Sequence, residues 1–235
     1  MQPKATGISP VSEYYIHTPI SLARRLYLYP LSSGCYKYSP GYFITRNSYD
    51  SFLLMYIIKG HCGIETDGKF LEAEAGQLVL LDCYQPHRYG SRDSWEASWL
   101  HFDGPTARAY DQEITARHGR ILTPSSDVLG LLDEIRSSLR PPGTAGEAVL
   151  SAQLIRLLDL LLAGEEAKGE EPEKNAAADS IAYINEHFRE PVPLELLAAK
   201  AGMSPFHFLR VFSQSTGLTP HQYLISTRIR AARFL

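Results

Sequence analysis

The hydrophobic period of this 235-residue chain changes after Gly104, so a β-rich part is followed by a helical one. Before that glycine, apolar and aromatic residues fall in short runs at residues 26–29, 42–45, 52–58, 77–81 and 95–102. Turn formers separate the runs: Ser32-Ser33-Gly34, Ser39-Pro40-Gly41, Thr66-Asp67-Gly68 and Glu74-Ala75-Gly76. Asp67-Gly68, between 62–65 and 69–72, is a strong hairpin signal, because a two-residue turn of this kind needs a positive φ at both positions. Short strands at this spacing predict a barrel or sandwich.

After Gly104 the apolar spacing becomes helical. Residues 107–119 fit a helix weakly. Residues 125–139 fit one well, with Val128, Leu131, Leu132, Ile135 and Leu139 on one side, and Pro141-Pro142-Gly143 ends it. Residues 148–163 carry Leu150, Leu154, Leu157, Leu158, Leu161 and Leu162 on a broad apolar face. The two helices are expected to form a hairpin that covers the barrel. A leucine stripe of this kind equally suits a dimer seam. Residues 164–175 are polar, charged and interrupted by Pro172, which reads as a linker.

Composition narrows the setting. No apolar run approaches the roughly 20 residues needed to span a bilayer. The first ten residues lack the apolar core of a secretory signal. Cys35, Cys62 and Cys83 form no Cys-x-x-Cys pair, and an odd count is a poor disulfide framework, so reduced cytoplasmic thiols are expected. The net charge of −3 argues against nonspecific coating of nucleic acid, but it is unevenly distributed. Residues 164–176 carry −3 and residues 177–235 carry +2, a weak pointer to polyanion contact at the C-terminal end.

That end has its own pattern. Residues 179–188 form an amphipathic helix with Ile181, Ile184 and Phe188 on one side, broken by Pro191 and Pro193. Residues 194–201 form a second, and Ala201-Gly202-Met203-Ser204-Pro205 follows. Gly202 permits a left-handed turn, Ser204 can cap the next helix, and Pro205 suits its first position. Together these make a helix-turn-helix. In the helix over 205–215, Phe208, Val211 and Phe212 form the inward stripe, while Phe206, Leu209, Arg210 and Ser213 point away. An outward Phe beside an Arg suits a helix that enters a DNA major groove, with Arg210 on guanine or phosphate and Phe206 on a thymine methyl. A small bundle with an incidental exposed Phe is the other reading of the same spacing.

Residues 194–204, Phe208-Leu209-Arg210-Val211-Phe212, Gly217-Leu218-Thr219-Pro220-His221-Gln222-Tyr223-Leu224 and Arg228-Ile229-Arg230-Ala231-Ala232 together closely resemble the AraC/XylS family of bacterial transcription regulators. The resemblance implies that the helix over 205–215 is a recognition helix, with Phe206, Leu209 and Arg210 at base-contact positions. The family carries two helix-turn-helix units joined by a long helix. Residues 219–235 look like that joining helix and the chain stops inside it, leaving Ile229, Ala232 and Leu235 without their usual cover. The expected DNA-binding domain is therefore incomplete, in a fragment or a natural truncation. Its binding to double-stranded DNA is expected to be weakened, since each bidentate base contact is worth about 1–3 kcal/mol.

The N-terminal half also looks like this family, through Tyr56-Ile57-Ile58-Lys59-Gly60, residues 76–89 and residues 95–104. A barrel of this size is open to a second reading as a metal-dependent cupin enzyme. Such sites need three His and a carboxylate. Gly60-His61-Cys62-Gly63 holds no His-x-His, and His87 is left without convincing partners. No Gly-x-Ser-x-Gly elbow or Gly-rich phosphate loop occurs. No catalytic residue, metal or cofactor is expected, and His87 reads as a pocket or rim residue. Against the arabinose-sensing branch of the family, Arg46, Tyr89 and Trp99 stand at pocket positions, while Ala97 stands where that branch has a His, which argues against arabinose itself. Strand alternation puts Trp95, Ala97, Trp99 and His101 on one face, provided no bulge intervenes. A Trp ring offers a platform for the C–H face of a sugar, and Arg and Tyr bond its hydroxyls.

The expected fold is α+β: a cupin-like β-barrel with a helical hairpin, then an all-α helix-turn-helix domain that is truncated. The expected divisions are an effector-binding and dimerisation domain over 1–163, an acidic linker over 164–176 and a helix-turn-helix domain over 177–235. The expected function is a cytoplasmic, homodimeric transcription regulator with no membrane partner, responsive to a small molecule, a sugar or sugar derivative, bound by Arg46, His87, Tyr89, Trp95, Trp99 and His101. The segment before Ser21, with Tyr14 and Tyr15, is a candidate arm over the pocket. The rivals are the cupin enzyme fused to a DNA-binding remnant and a truncated dimerisation partner of full-length regulators.

Overall fold

Alternation of side chains along the strands sets the architecture. The computed structural model describes residues 6–141, 143, 145–164 and 171–233, and of 171–175 the backbone alone. It divides into two compact units, Met1–Glu165 and Glu166–Leu235.

The first unit runs β1 (Glu13–Ile16), α1 (Ser21–Leu26), β2 (Tyr29–Tyr38), β3 (Tyr42–Arg46), β4 (Phe52–Lys59), β5 (His61–Thr66), β6 (Lys69–Glu74), β7 (Leu78–Asp82), β8 (His87–Ser91), β9 (Trp95–Asp103), α2 (Ala107–His118), β10 (Ile121–Leu122), α3 (Ser126–Leu139) and α4 (Glu147–Ala163). A six-stranded sheet has the order β1-β2-β9-β4-β7-β10, and a four-stranded sheet the order β3-β8-β5-β6. The two make the cupin-like β-domain expected above. The β5–β6 hairpin turns at Asp67 and Gly68, whose φ values of 53° and 69° are the pair that the Asp-Gly dipeptide predicts.

One core lies inside, from Leu53, Met55, Ile57, Val79, Leu81, Trp95 and Ala97 against Cys62, Ile64 and Tyr89 of the smaller sheet. A second lies outside, where Phe52, Leu54, Leu78, Leu80, Leu100 and Phe102 meet α2, α3 and α4. Five leucines of α4, at 150, 154, 157, 158 and 161, are buried. Most of the leucine stripe therefore covers the first unit's own sheet and strand edge. Val149 and Ile155 remain exposed.

Two expectations of local structure change. Residues 26–29 are not one strand: α1 ends at Leu26 and β2 begins at Tyr29. Ser32-Ser33-Gly34 is not a turn either, but the middle of β2. Ser33 Oγ donates to the Trp99 carbonyl at 2.8 Å, and a Cβ at Gly34 would lie 2.6 Å from the Trp99 ring. The small residues serve a close approach between strands, a use that composition does not separate from a turn.

The second unit is all-α: α5 (Glu171–His187), α6 (Leu194–Lys200), α7 (Pro205–Thr216) and α8 (Pro220–Ala232). Helix α5 begins inside the segment read as linker, with Pro172 in its first turn, where a missing N–H costs nothing. Residues 165–170 of that segment, and Leu235, lie outside the described residues. Ile184, Leu197, Ala198, Phe208, Phe212 and Leu224 form the core. Arg228 ties α8 to the end of α5, donating to the Phe188 and Glu190 carbonyls at 2.7 and 2.8 Å. Among the described residues no helix is long and apolar enough to cross a membrane.

Gly34→Ala is expected to destabilise the first unit by about 1–3 kcal/mol, the usual cost of overpacking. Thermal unfolding followed by tryptophan fluorescence checks this; an unchanged midpoint contradicts the packing described.

Candidate functional site

Strand β3 alternates, with Tyr42, Ile44 and Arg46 turned inward and Phe43 and Thr45 exposed. Strand β9 contributes Trp99 and His101 from its inward face, and β8 contributes Tyr89, which pairs in register with Ile44. Tyr36 and Tyr38 of β2 and Met55 of β4 complete the walls, and Tyr14 and Ile16 of β1 close one side. The cavity, partly open to solvent, has a volume of about 560 Å³, within the range of small-molecule sites.

Its interior is mostly aromatic. The Tyr36 ring meets Trp99 edge-on at 5.1 Å between centroids, and Trp99 meets His101 at 5.6 Å. The Arg46 guanidinium lies 4.5 Å from the Tyr49 ring centroid, and Tyr49 packs edge-on to His101 at 5.0 Å. His101 is hydrogen-bonded through Nδ1 to Ser51 Oγ at 2.8 Å. Burial, with Arg46 and His87 adding their charge, pushes the His101 imidazole down to about 3. Burial also raises the Tyr36 phenol to about 12 and pushes the Tyr38 and Tyr89 phenols up. At neutral pH these groups are uncharged hydrogen-bonding groups.

Of the six residues expected to bind ligand, Arg46, Tyr89, Trp99 and His101 come together on the cavity wall. Trp95 does not. It shares the inward face of β9, as alternation predicts, but it is fully buried and stacks on Tyr38 at 4.0 Å, filling the space beyond the cavity. His87 is off the wall as well. Its Nδ1 donates to the Gln85 carbonyl at 2.8 Å, and its buried Nε2 has no partner among the described residues. Sequence reasoning passed over Tyr36, Tyr38, Tyr42 and Tyr49. The signal was the alternation Tyr42-x-Ile44-x-Arg46 and Tyr36-x-Tyr38, hidden in β2 by the misread turn. Tyr14 lines the cavity, whereas Tyr15 faces the other way onto Leu139 and Leu150. Among the described residues no group of three His, Cys, Asp or Glu is placed to hold a metal.

In the second unit α6 and α7 are joined through Gly202, at φ 64°. The Met203 N–H donates to the Ala198 carbonyl at 2.9 Å, and Ser204 Oγ accepts from the His207 N–H at 3.3 Å. Phe208, Val211 and Phe212 are buried. Phe206 is 82% exposed and Arg210 is exposed, whereas Leu209 and Ser213 are half-buried, so two of the four expected outward residues are open to solvent. Arg210 Nη2 lies 3.3 Å from His207 Nδ1. On α8 both Ile229 and Ala232 are exposed.

A barrel with an internal cavity and a separate capped helix-turn-helix are the two parts the sequence pattern implied. The model of the AraC-like ligand binding domain matches residues 30–171, and that of bacterial regulatory helix-turn-helix proteins of the AraC family matches residues 184–224. The chain belongs to the AraC family. It is a transcription regulator with a ligand-binding and a DNA-binding domain. The MmsAB operon regulatory protein of Pseudomonas aeruginosa is 25% identical over 248 residues, covering 95% of this chain and 77% of that protein. The transcriptional activator RhaS of Salmonella schwarzengrund is 31% identical over 115 residues, 49% of this regulator and 40% of RhaS. ToxT of Vibrio cholerae aligns with 86% of the chain and 99% of its own, at 11% identity and a TM-score of 0.37.

The depressed His101 has a consequence for stability. The unfolded chain takes up a proton at this imidazole below about pH 6.5, and the folded protein does not until about pH 3. More protons are bound unfolded, so this group's contribution falls as pH drops from 6.5 toward 3, by at most about 1.4 kcal/mol per pH unit. His101→Gln is expected to flatten the acid side of a plot of unfolding midpoint against pH. An equal slope in wild type and variant contradicts a neutral buried imidazole.

Proposed function

We propose that this regulator senses a sugar or sugar derivative in the N-terminal cavity and acts in the cytoplasm as a homodimer, without enzymatic activity of its own. The observation that carries the reading is the cavity wall, where Trp99 stands with Arg46, Tyr89 and His101. A ring carbon face packs on the indole, and the polar groups bond hydroxyls. Trp95 and His87 take supporting roles, Trp95 by holding Tyr38 in place. The proposed divisions are residues 1–163 for sensing and dimerisation, 164–176 for the connection and 177–235 for DNA. Ligand binding acts by favouring one of two pre-existing arrangements, which requires that it bind one of them better.

Titrating the full chain with monosaccharides, disaccharides and uronic acids tests the sensor. A saturable change in tryptophan fluorescence and a raised unfolding midpoint are expected, both lost in Trp99→Phe. A normally folded protein that responds to no sugar removes the sugar assignment.

In the DNA-binding unit, Phe206, Leu209, Arg210 and Ser213 are proposed to face the major groove. Arg210→Ala and Phe206→Ala leave the buried stripe of α7 intact. Each is expected to weaken binding to duplexes selected from a random library by the 1–3 kcal/mol of a base contact, roughly 5- to 150-fold at fixed salt. Unchanged anisotropy titrations would place the contacts elsewhere.

A further inference from the structure

We infer that the effector is an anion, a monocarboxylate with a flat or ring-shaped body whose carboxylate pairs with the Arg46 guanidinium. The inference rests on the reading of the cavity as the effector site and narrows its ligand by charge.

Four arginines of the first unit are half-buried: Arg46, Arg88, Arg120 and Arg136. Arg88 pairs with Glu65 at 2.8 Å, Arg120 with Asp67 at 2.8 Å and Asp111 at 3.2 Å, and Arg136 with Asp133 at 2.8 Å. Arg46 has no carboxylate within 4.0 Å among the described residues and lies instead over the Tyr49 ring. A half-buried guanidinium is costly to leave without a counter-charge. Here it projects into a cavity large enough for a ligand.

Among the described residues the wall offers nothing to neutralise it, since no described Asp, Glu or Lys lines the cavity. The tyrosines at 36, 38, 42 and 89 are held as neutral phenols by burial, and His101 is held as a neutral imidazole. The described residues therefore give the cavity one positive charge at neutral pH, that of Arg46. A neutral sugar satisfies hydrogen bonds there but leaves the charge. A carboxylate satisfies both, because its two oxygens match the planar fork of a guanidinium. One charge calls for one charge, since a dianion would keep an unpaired negative charge among aromatic walls. The remaining surface, with Trp99, Tyr36, Ile44 and Met55, fits a ring or flat body.

Calorimetric titration of the full chain with matched pairs tests this: glucuronate against methyl glucoside, lactate against propylene glycol, and phenylacetate against phenylacetamide. At least one acid is expected to bind about 10- to 100-fold more tightly than its neutral partner, the size of a charge-assisted pair. Arg46→Gln should abolish that preference and Arg46→Lys should keep part of it, with unliganded melts confirming that both variants fold. Higher salt should weaken the acid and not its partner. If no acid outperforms its partner, or if Arg46→Gln keeps the preference, the inference falls. Equal binding of methyl glucoside and glucuronate overturns the charge assignment and leaves the cavity as a sugar sensor. Binding of phenylacetate with no sugar binding overturns the sugar reading and supports the anion, whereas binding of lactate alone overturns the flat or ring-shaped body.

Discussion

Successive side chains of β4, β7 and β9 enter two different cores, and the site depends on that division. Phe52, Leu54, Leu78, Leu80, Leu100 and Phe102 go outward to the helices, while Leu53, Met55, Val79, Leu81, Trp95 and Ala97 go inward between the sheets. A slip of one residue in pairing would exchange the two sets, so register is fixed on both faces at once. The inner core does not run the whole length of the barrel. Trp95 on Tyr38 fills one part, and the remainder, framed by Trp99, His101 and Arg46, stays open. The cavity is thus a place where packing stops, held in shape by the packing that continues on the other side of the same strands.

Much of this was legible in the chain. Strands buried on both faces read as near-continuous apolar runs, and residues 52–58 and 77–81 are such runs. Asp67-Gly68 marked its hairpin because so few dipeptides accept two positive φ values. Gly202 and Ser204-Pro205 marked the turn and start of α7 for equally local reasons. What escaped depends on tertiary contact. Ser32-Ser33-Gly34 resembles a turn until Trp99 is seen against Gly34. The two-residue β10 is defined only by pairing with Leu78 and Val79. Helix α5 extends into a charged segment that linker composition alone describes as coil.

Legibility of the site follows the same division. Side-chain direction along β3 and β9 is a local property, and it brings Arg46, Trp99 and His101 to the cavity. Depth along a strand is not local. Trp95 and Trp99 share a face of β9, but only the inter-strand packing of Tyr38 decides which of them meets a ligand-sized space. The electrostatic state of the cavity was also out of reach, because the absence of acids among the described wall residues is a property of six strands together.

Strand β1 shows how cavity and helices are physically joined. Alternation sends Tyr14 and Ile16 to the cavity and Tyr15 to Leu139 of α3 and Leu150 of α4. Just beyond, Glu147 at the start of α4 holds His17 Nε2 at 3.1 Å and accepts from the Ile20 N–H at 3.0 Å. One four-residue strand at the edge of a sheet therefore contacts the cavity on one face and the helical hairpin on the other. An edge strand is paired along a single side, so it is among the less firmly held elements of a sheet. A ligand that prefers one position of Tyr14 and Ile16 necessarily biases Tyr15, because the two faces belong to the same backbone. The free energy available for that bias is limited to the ligand's difference in affinity for the two positions. A tight ligand that ignores β1 would fill the cavity and leave the helices unmoved.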